Sequence, residues 1–510
     1  MKPLFGLSEE RISDRTASLM KETGEAIPDL SVYYYVEAPD ERLDELAEKF
    51  MQLDVVEAAY VKPAGELPLW IDVEHEGPIE TKSGEPPATT PNFTARQVYL
   101  GPAPAGIDAN YAWTLGGGKG AGVRIIDCEW GWNFTHEDLL QNSLGILVGT
   151  GTSDLHAENH GTAVVGVIGA DNNAIGVTGI APEAQVGAAA FSKSEAQVIM
   201  EAADKLGAGD IILLEIHRPG PRFNFQKRSD QRGYIAIEWW PDDFAAIRYA
   251  VSKGVIVVEA AGNGAENLDD PIYNTRPAGF PPGWTNPLNP ANQGSDAVLV
   301  GAGSPPQGTH GRDYGPDRSR LDFSNYGARV DCQGWGREVT STGGYYDQPG
   351  DLQGGSNKKL WYTDQFSGTS SASPVIVGAL ACAQGVLRGQ GGTLLNSATA
   401  RNVLRNTGSP QQDAPGRPAT QRIGNRPNLA QLIPAMADVW QNDKTVIRTH
   451  AKVGSQMAWA LLSGSNWLSV RPSSPDGVSN VFQILCEALA KNHKVDVYIR
   501  DGQIEQATLK

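Results

Sequence analysis

The sequence predicts an α/β protein. Its core is a parallel sheet with helices on both faces, preceded by a small α+β unit and followed by a small, mostly β domain. Three observations carry that expectation. Between about residues 98 and 437, apolar runs of strand length alternate with runs of helix length. The strand-like runs are apolar throughout rather than alternating, as strands buried on both faces are. The flanks differ in composition, with a proline-rich stretch before the core and short alternating runs after Asn428.

At the N-terminal end, SVYYYVEAPDERLDELAEKFMQLDVVEAAYVK (31–62) suggests strand, helix and strand. Asp40 follows Pro39 as a candidate cap, and Leu43, Leu46, Ala47, Phe50 and Leu53 recur at helical spacing. Prolines then crowd positions 63 to 104 and periodicity is lost, which reads as a linker lying along the next domain. The expected organisation is 1–70 as the α+β unit, 71–97 as linker, 98–437 as the main domain and 438–510 as the C-terminal domain. Within the main domain GVRIID, QVGAAAF, DIILLEI, GVIVVEAAG and AVLVGAG read as parallel strands. Helices are expected over 160–170, 195–206, 242–253 and 374–387, and long irregular connections over 218–240, 265–295 and 304–320. In the last domain VDVYIRDGQIEQATL reads as two strands turned at Asp501-Gly502, and VFQILCEALAKN fits helix or strand.

Bulk composition narrows the function classes. A net charge of −17 over 510 residues argues against nucleic acid or an anionic membrane as the main partner. Four widely spaced cysteines form no CxxC pair, which disfavours a zinc site and excludes an extensive disulfide framework. No apolar h-region follows Met1 and no eighteen apolar residues run together. A cytoplasmic protein is therefore the default expectation, with export by another route as the alternative.

Four segments carry candidate chemistry. GVRIID places Asp127 at the C-terminal end of an apolar strand, where α/β sheets put their sites. NHGTAVVGVIGA sets His160 before small residues that let a helix lie close to the sheet. VIVVEAAGNGAE ends a strand at Asn263, whose amide could enter a crevice or simply tolerate a left-handed turn. FSGTSSASP holds Ser367, Ser370, Ser371 and Ser373 before an apolar helix, so a hydroxyl there sits at the helix's positive end. Each segment alone has an ordinary structural reading. Together they supply the hydroxyl, base, acid and oxyanion donor that acyl transfer by serine requires.

In that order the four segments resemble the subtilisin-like serine peptidases, with lesser matches in GVTGIAP (176–182) and FSNYG (323–327). The resemblance spans roughly 98–437 and implies a subtilisin-like fold and a serine endopeptidase working through an acyl-enzyme. It assigns Ser370, directly after Gly-Thr, as nucleophile, His160 as base, Asp127 as the orienting acid and Asn263 as oxyanion donor. It also implies a peptide or protein substrate, bound along Glu215, Ile216, His217, Ala261 and Gly262, and no required cofactor. Calcium is common in the family, but no site for it is legible here. Residues 31–62 resemble the family's prodomain, which implies an intramolecular partner and self-cleavage in the linker after Val61.

Two departures stand out. The family usually follows its aspartate with Thr/Ser-Gly, whereas here the chain reads DCEWGWNFTHEDL. The wall that usually reads Ser-Leu-Gly-Gly is here Glu215-Ile216-His217-Arg218, so cleavage preference cannot be borrowed. Acyl transfer to an amine, giving ligation or cyclisation, is the alternative on the same site. A non-catalytic binding protein that retains the fold is the other.

Overall fold

The computed structural model describes all residues except 24–26, 69–80, 83, 437–438, 453–456, 464–466, 472–474 and 501–502. The chain forms two compact units, one of Met1–Val386 with Leu394–Leu429, the other of Leu387–Thr393 with Ala430–Lys510.

The first unit is organised by a seven-stranded parallel sheet. In chain order its strands are β1 (Arg124–Glu129), β2 (Ser143–Val148), β3 (Gln185–Ala190), β4 (Ile211–Leu214), β5 (Ile256–Ala260), β6 (Val298–Gly303) and β7 (Cys332–Trp335). Across the sheet they run β7-β6-β5-β4-β1-β3-β2, every pair parallel. The order reverses beside β1, because the chain leaves β3 on one side and returns as β4 on the other. A crevice opens at such a reversal, outside the carboxyl ends of the strands. The strands β2 and β7 escaped the sequence reading. The first, SLGILV, is apolar but short, half-exposed and interrupted by Gly145, and the second is a four-residue run, CQGW, with no apolar stretch.

Two helices that carry candidate residues begin five residues earlier than expected. Leu155–Gly169 starts behind Asp154, whose side chain accepts from Ala157 N at 3.0 Å. His160 therefore lies inside the helix rather than at its start. Thr369–Gln390 likewise takes Ser370 into its first turn. By length and apolar composition that helix would suffice to cross a membrane, yet its apolar stretch is fully buried.

The N-terminal residues do not form the expected β-α-β unit. A helix spans Glu9–Thr23, Lys2–Pro3 pairs with Tyr34–Tyr35, and Leu43–Phe50 is a short helix with no buried residue. Asp40 opens a 3-10 turn and caps nothing; Pro39 stands at the cap position. The physical reason lies in where the apolar side chains go. Leu4, Phe5, Ile12, Ile27 and Leu30 bury in one cluster with Ala196, Ile199, Ala246 and Tyr249 of the helices Glu195–Ala203 and Pro241–Ser252. The segment thus completes the main domain's core instead of building its own. Parts of the linker are also tied down, with Lys82 N donating to Gly350 O at 3.1 Å and Phe93 N to Gly176 O at 2.6 Å.

The second unit holds a five-stranded antiparallel sheet and the helix Pro475–Lys491, so the ambiguous VFQILCEALAKN is helical. Val446, Leu462, Leu485, Val495 and Ile504 share its core. The last two strands pair antiparallel as expected, while the turn at Asp501-Gly502 lies outside the described residues.

Candidate active site

At the carboxyl end of β1 the side chains of Asp127 and Glu129 project to the same face, two residues apart, and Cys128 to the other. Both carboxyls are fully buried. Here the structure corrects the sequence reading. The carboxylate on His160 is that of Glu129, whose Oε2 lies 2.8 Å from Nδ1. Asp127 instead accepts from Trp132 Nε1 at 2.7 Å. The strand runs one pleat further than the assignment assumed, and only its last residue reaches the histidine helix. The missed signal was local, because Glu129-Trp130-Gly131 carries the acid-x-Gly pattern that Asp127 lacks. Gly161 lets the helix come this close. A Cβ there would stand 2.2 Å from Gly131 O and 2.6 Å from Trp132 Cδ1.

Asp127 Oδ1 and Glu129 Oε1 have no donor between them, although both are buried. Two carboxylates this close cannot both ionise, and one shared proton satisfies both oxygens. Burial pushes both groups well above the usual carboxylate range, and their mutual hydrogen bond raises Asp127 while lowering Glu129. Glu129 also accepts from His160 Nδ1, which favours the anion there and leaves the shared proton to Asp127. Burial pulls His160 the other way, down to about 3. With Nδ1 held by Glu129, the free ring nitrogen is Nε2, buried and without a partner. The imidazole edge packs on Phe366, with ring centroids 5.5 Å apart.

The serine loop separates its hydroxyls by partner. Ser371 Oγ donates to Trp335 O at 2.9 Å, and Ser373 Oγ to Thr369 O at 2.8 Å and to the Glu215 carboxyl. Ser370 Oγ instead meets a carbonyl from a distant part of the chain, that of Pro68, at 3.3 Å. Asn263 Nδ2 donates to the same oxygen at 2.5 Å. The amide is oriented by Thr369, whose N and Oγ1 both donate to Asn263 Oδ1, at 3.0 and 2.9 Å. That leaves the NH₂ group to face the Pro68 carbonyl.

The expected substrate wall divides. His217 forms an antiparallel bridge with Glu66, with His217 N on Glu66 O at 3.1 Å and Glu66 N on His217 O at 3.0 Å. Ile216 is buried beside Gly65. Glu215 does not line the wall with its side chain. Its carboxyl turns beneath the serine loop to Ser373, and its N–H points to Cys128 O at 3.3 Å. Ala261 and Gly262 form the opposite edge, their carbonyls accepting from Asn325 Nδ2 at 2.7 Å and Asn325 N at 3.1 Å. Asp269 and Asp270 are spent on Ala328 N and on Arg222. Among the described residues no group of three His, Cys, Asp or Glu is arranged to hold a metal.

A buried carboxylate, an imidazole, a serine at a helix start and an amide on a carbonyl oxygen are the parts of a serine hydrolase. The Subtilase family model matches residues 147–426, more than half of the chain. The chain belongs to the subtilase family and is a serine endopeptidase. Among its relatives, the intracellular serine protease of Paenibacillus polymyxa is 28% identical over 287 residues, covering 54% of this chain and 70% of that protein. Subtilisin BL of Lederbergia lenta is 27% identical over 295 residues, covering 56% and 84%. A solved protease of Pseudoalteromonas arctica aligns with a TM-score of 0.44 at 20% identity, over 68% of this chain and 99% of that one. His160, Asn263 and Ser370 fall within the family match, whereas Asp127 and Glu129 lie before it.

Proposed function

We propose that Ser370 is the nucleophile of this endopeptidase, His160 its base, Glu129 the acid that orients the base, and Asn263 the oxyanion donor. Nδ1–H of His160 donates to Glu129, which fixes the tautomer that leaves Nε2 to take the serine proton. Asp127 acts one step back, its proton keeping Glu129 hydrogen-bonded at an oxygen that no other side chain or backbone donor reaches. The oxyanion that forms on the attacked carbonyl meets Asn263 Nδ2, pre-aimed by Thr369.

The observation that carries this reading is the Pro68 carbonyl, held between Ser370 Oγ and Asn263 Nδ2 as a substrate carbonyl would be. By the same observation the N-terminal segment acts as an intramolecular partner that fills the cleft. Peptide and protein substrates follow the path it takes. Fluorophosphonate labelling tests the assignment. An adduct on Ser370 in the wild type, absent from Ser370→Ala, supports it; undiminished labelling of Ser370→Ala overturns it.

A further inference from the structure

The segment in the cleft is held along its whole length. Tyr60 OH donates to Asp242 at 2.9 Å, Lys62 pairs with Asp242 and Asp243, and Arg218 Nη1 donates to Pro63 O at 2.7 Å. Arg218 is itself buried and paired with Glu195 and Asp243, so this clamp is fixed before the segment reaches it. Glu66 then bridges His217, Gln231 Nε2 donates to Leu67 O at 2.9 Å, and Pro68 offers its carbonyl to the site.

The fit of the side chains is selective at three positions. A Cβ on Gly65 would lie 2.3 Å from Ile216 Cδ1 and 2.8 Å from Cγ1, and Ile216 is fully buried and cannot swing away. The backbone at Gly65 imposes no such demand, since it does not adopt a positive φ. The Glu66 carboxylate meets Lys227 Nζ at 3.1 Å and Tyr234 OH at 3.3 Å. Pro68 is itself buried where its carbonyl meets the site, and the buried His217 ring packs on the 261–263 edge. Its Nδ1 accepts from Asn263 N at 3.3 Å, it would touch a Cβ on Gly262 at 3.3 Å, and Tyr234 backs it at 4.8 Å between centroids. With the Pro68 carbonyl on Asn263 and Ser370 and the residue itself buried, a pyrrolidine ring occupies the position before the scissile bond.

We propose that this protease cuts after proline in segments of the form Gly-acidic-apolar-Pro, and that its first substrate is its own Gly65-Glu66-Leu67-Pro68. The proposal rests on the catalytic assignment above. Ser370 Oγ bonds to the Pro68 carbonyl carbon, the C–N bond that follows breaks, and the proton taken by His160 passes to the departing amine. Water then adds to the ester by the same base, releasing the Pro68 carboxylate and restoring the Ser370 hydroxyl. The cut falls seven residues beyond Val61, the point after which the sequence reading placed it.

N-terminal sequencing and intact mass of the purified full chain test this, beside quenched peptides containing GELPLW, AELPLW or GELFLW. The expected new N-terminus is Leu69. Gly65→Ala should process about tenfold more slowly or worse. Ile216→Val in that background removes the Cδ1 atom and should restore much of the rate. In trans, AELPLW and GELFLW should be cut with kcat/KM reduced about tenfold or more, a comparison that does not depend on how any variant folds. A different new N-terminus overturns the proposal, as does equal cleavage of the three peptides or processing of Gly65→Ala at the wild-type rate. An uncut chain whose Ser370 still takes a fluorophosphonate overturns it while leaving the protease reading intact. An uncut chain that takes none overturns both.

Discussion

Replacing Glu129 by glutamine should cripple the enzyme, while replacing Asp127 by asparagine should leave it largely working. Glutamine keeps the shape of the glutamate but removes the charge facing His160 Nδ1 at 2.8 Å. His160 is neutral at rest and becomes an imidazolium as it takes the serine proton, and breaking a buried ion pair from one side costs about 3–5 kcal/mol. At about 1.4 kcal/mol per tenfold, the serine's reactivity should fall by roughly two to four orders of magnitude. Asparagine at 127 can still give an N–H to Glu129 and still accept from Trp132 Nε1, as the protonated aspartic acid does. Its expected loss is within about tenfold. The assay is the second-order rate of fluorophosphonate labelling, followed by intact mass, with thermal melts to show that both variants are folded. A folded Asp127→Asn as inert as described for Glu129→Gln, beside an active Glu129→Gln, would refute the assignment of the orienting acid.

Three further outcomes follow from the same geometry. Asn263→Ala should lower kcat by roughly 10²–10³, because one oxyanion donor is lost, measured as the rate at which the full-length chain disappears; an unchanged rate would remove Asn263 from the mechanism. His160 works when neutral and burial holds it down to about 3, so the acid limb of self-cleavage should lie below the ordinary imidazole value of about 6.5. A pH–rate profile with that limb at 7 or above would contradict the buried, uncharged base. Cys128 is buried, and burial beside Asp127 and Glu129 raises its thiol well above the ordinary range. It should resist iodoacetamide in the folded protein and react only on unfolding, as peptide mass mapping would show.

Legibility in the sequence followed the physics of each element. Strands buried on both faces announce themselves as apolar runs, so β1, β3, β4, β5 and β6 were readable. The edge strand β2 is a short apolar stretch broken by Gly145 and half-exposed, and the short β7 carries no apolar run. His160, Asn263 and Ser370 could be named because each sits in a local motif that the family shares. The acid could not be chosen with the same safety. Asp127 and Glu129 share a face of one strand, and which of them meets the histidine depends on how closely Gly131 and Gly161 let strand and helix approach. The N-terminal segment misled because helical spacing says that a face is apolar and not what will cover it. Phe5, Ile12 and Leu30 found their partners on the helices of the main domain. The occupied cleft was beyond sequence altogether, since nothing local to Gly65–Pro68 reports a bridge to His217.

The most direct single measurement is the intact mass of the wild type beside that of Ser370→Ala, both purified and incubated under the same conditions. The wild type should lose its first 68 residues, and Ser370→Ala should stay at the full 54.5 kDa. A Ser370→Ala chain that trims itself at the same bond would contradict the central assignment.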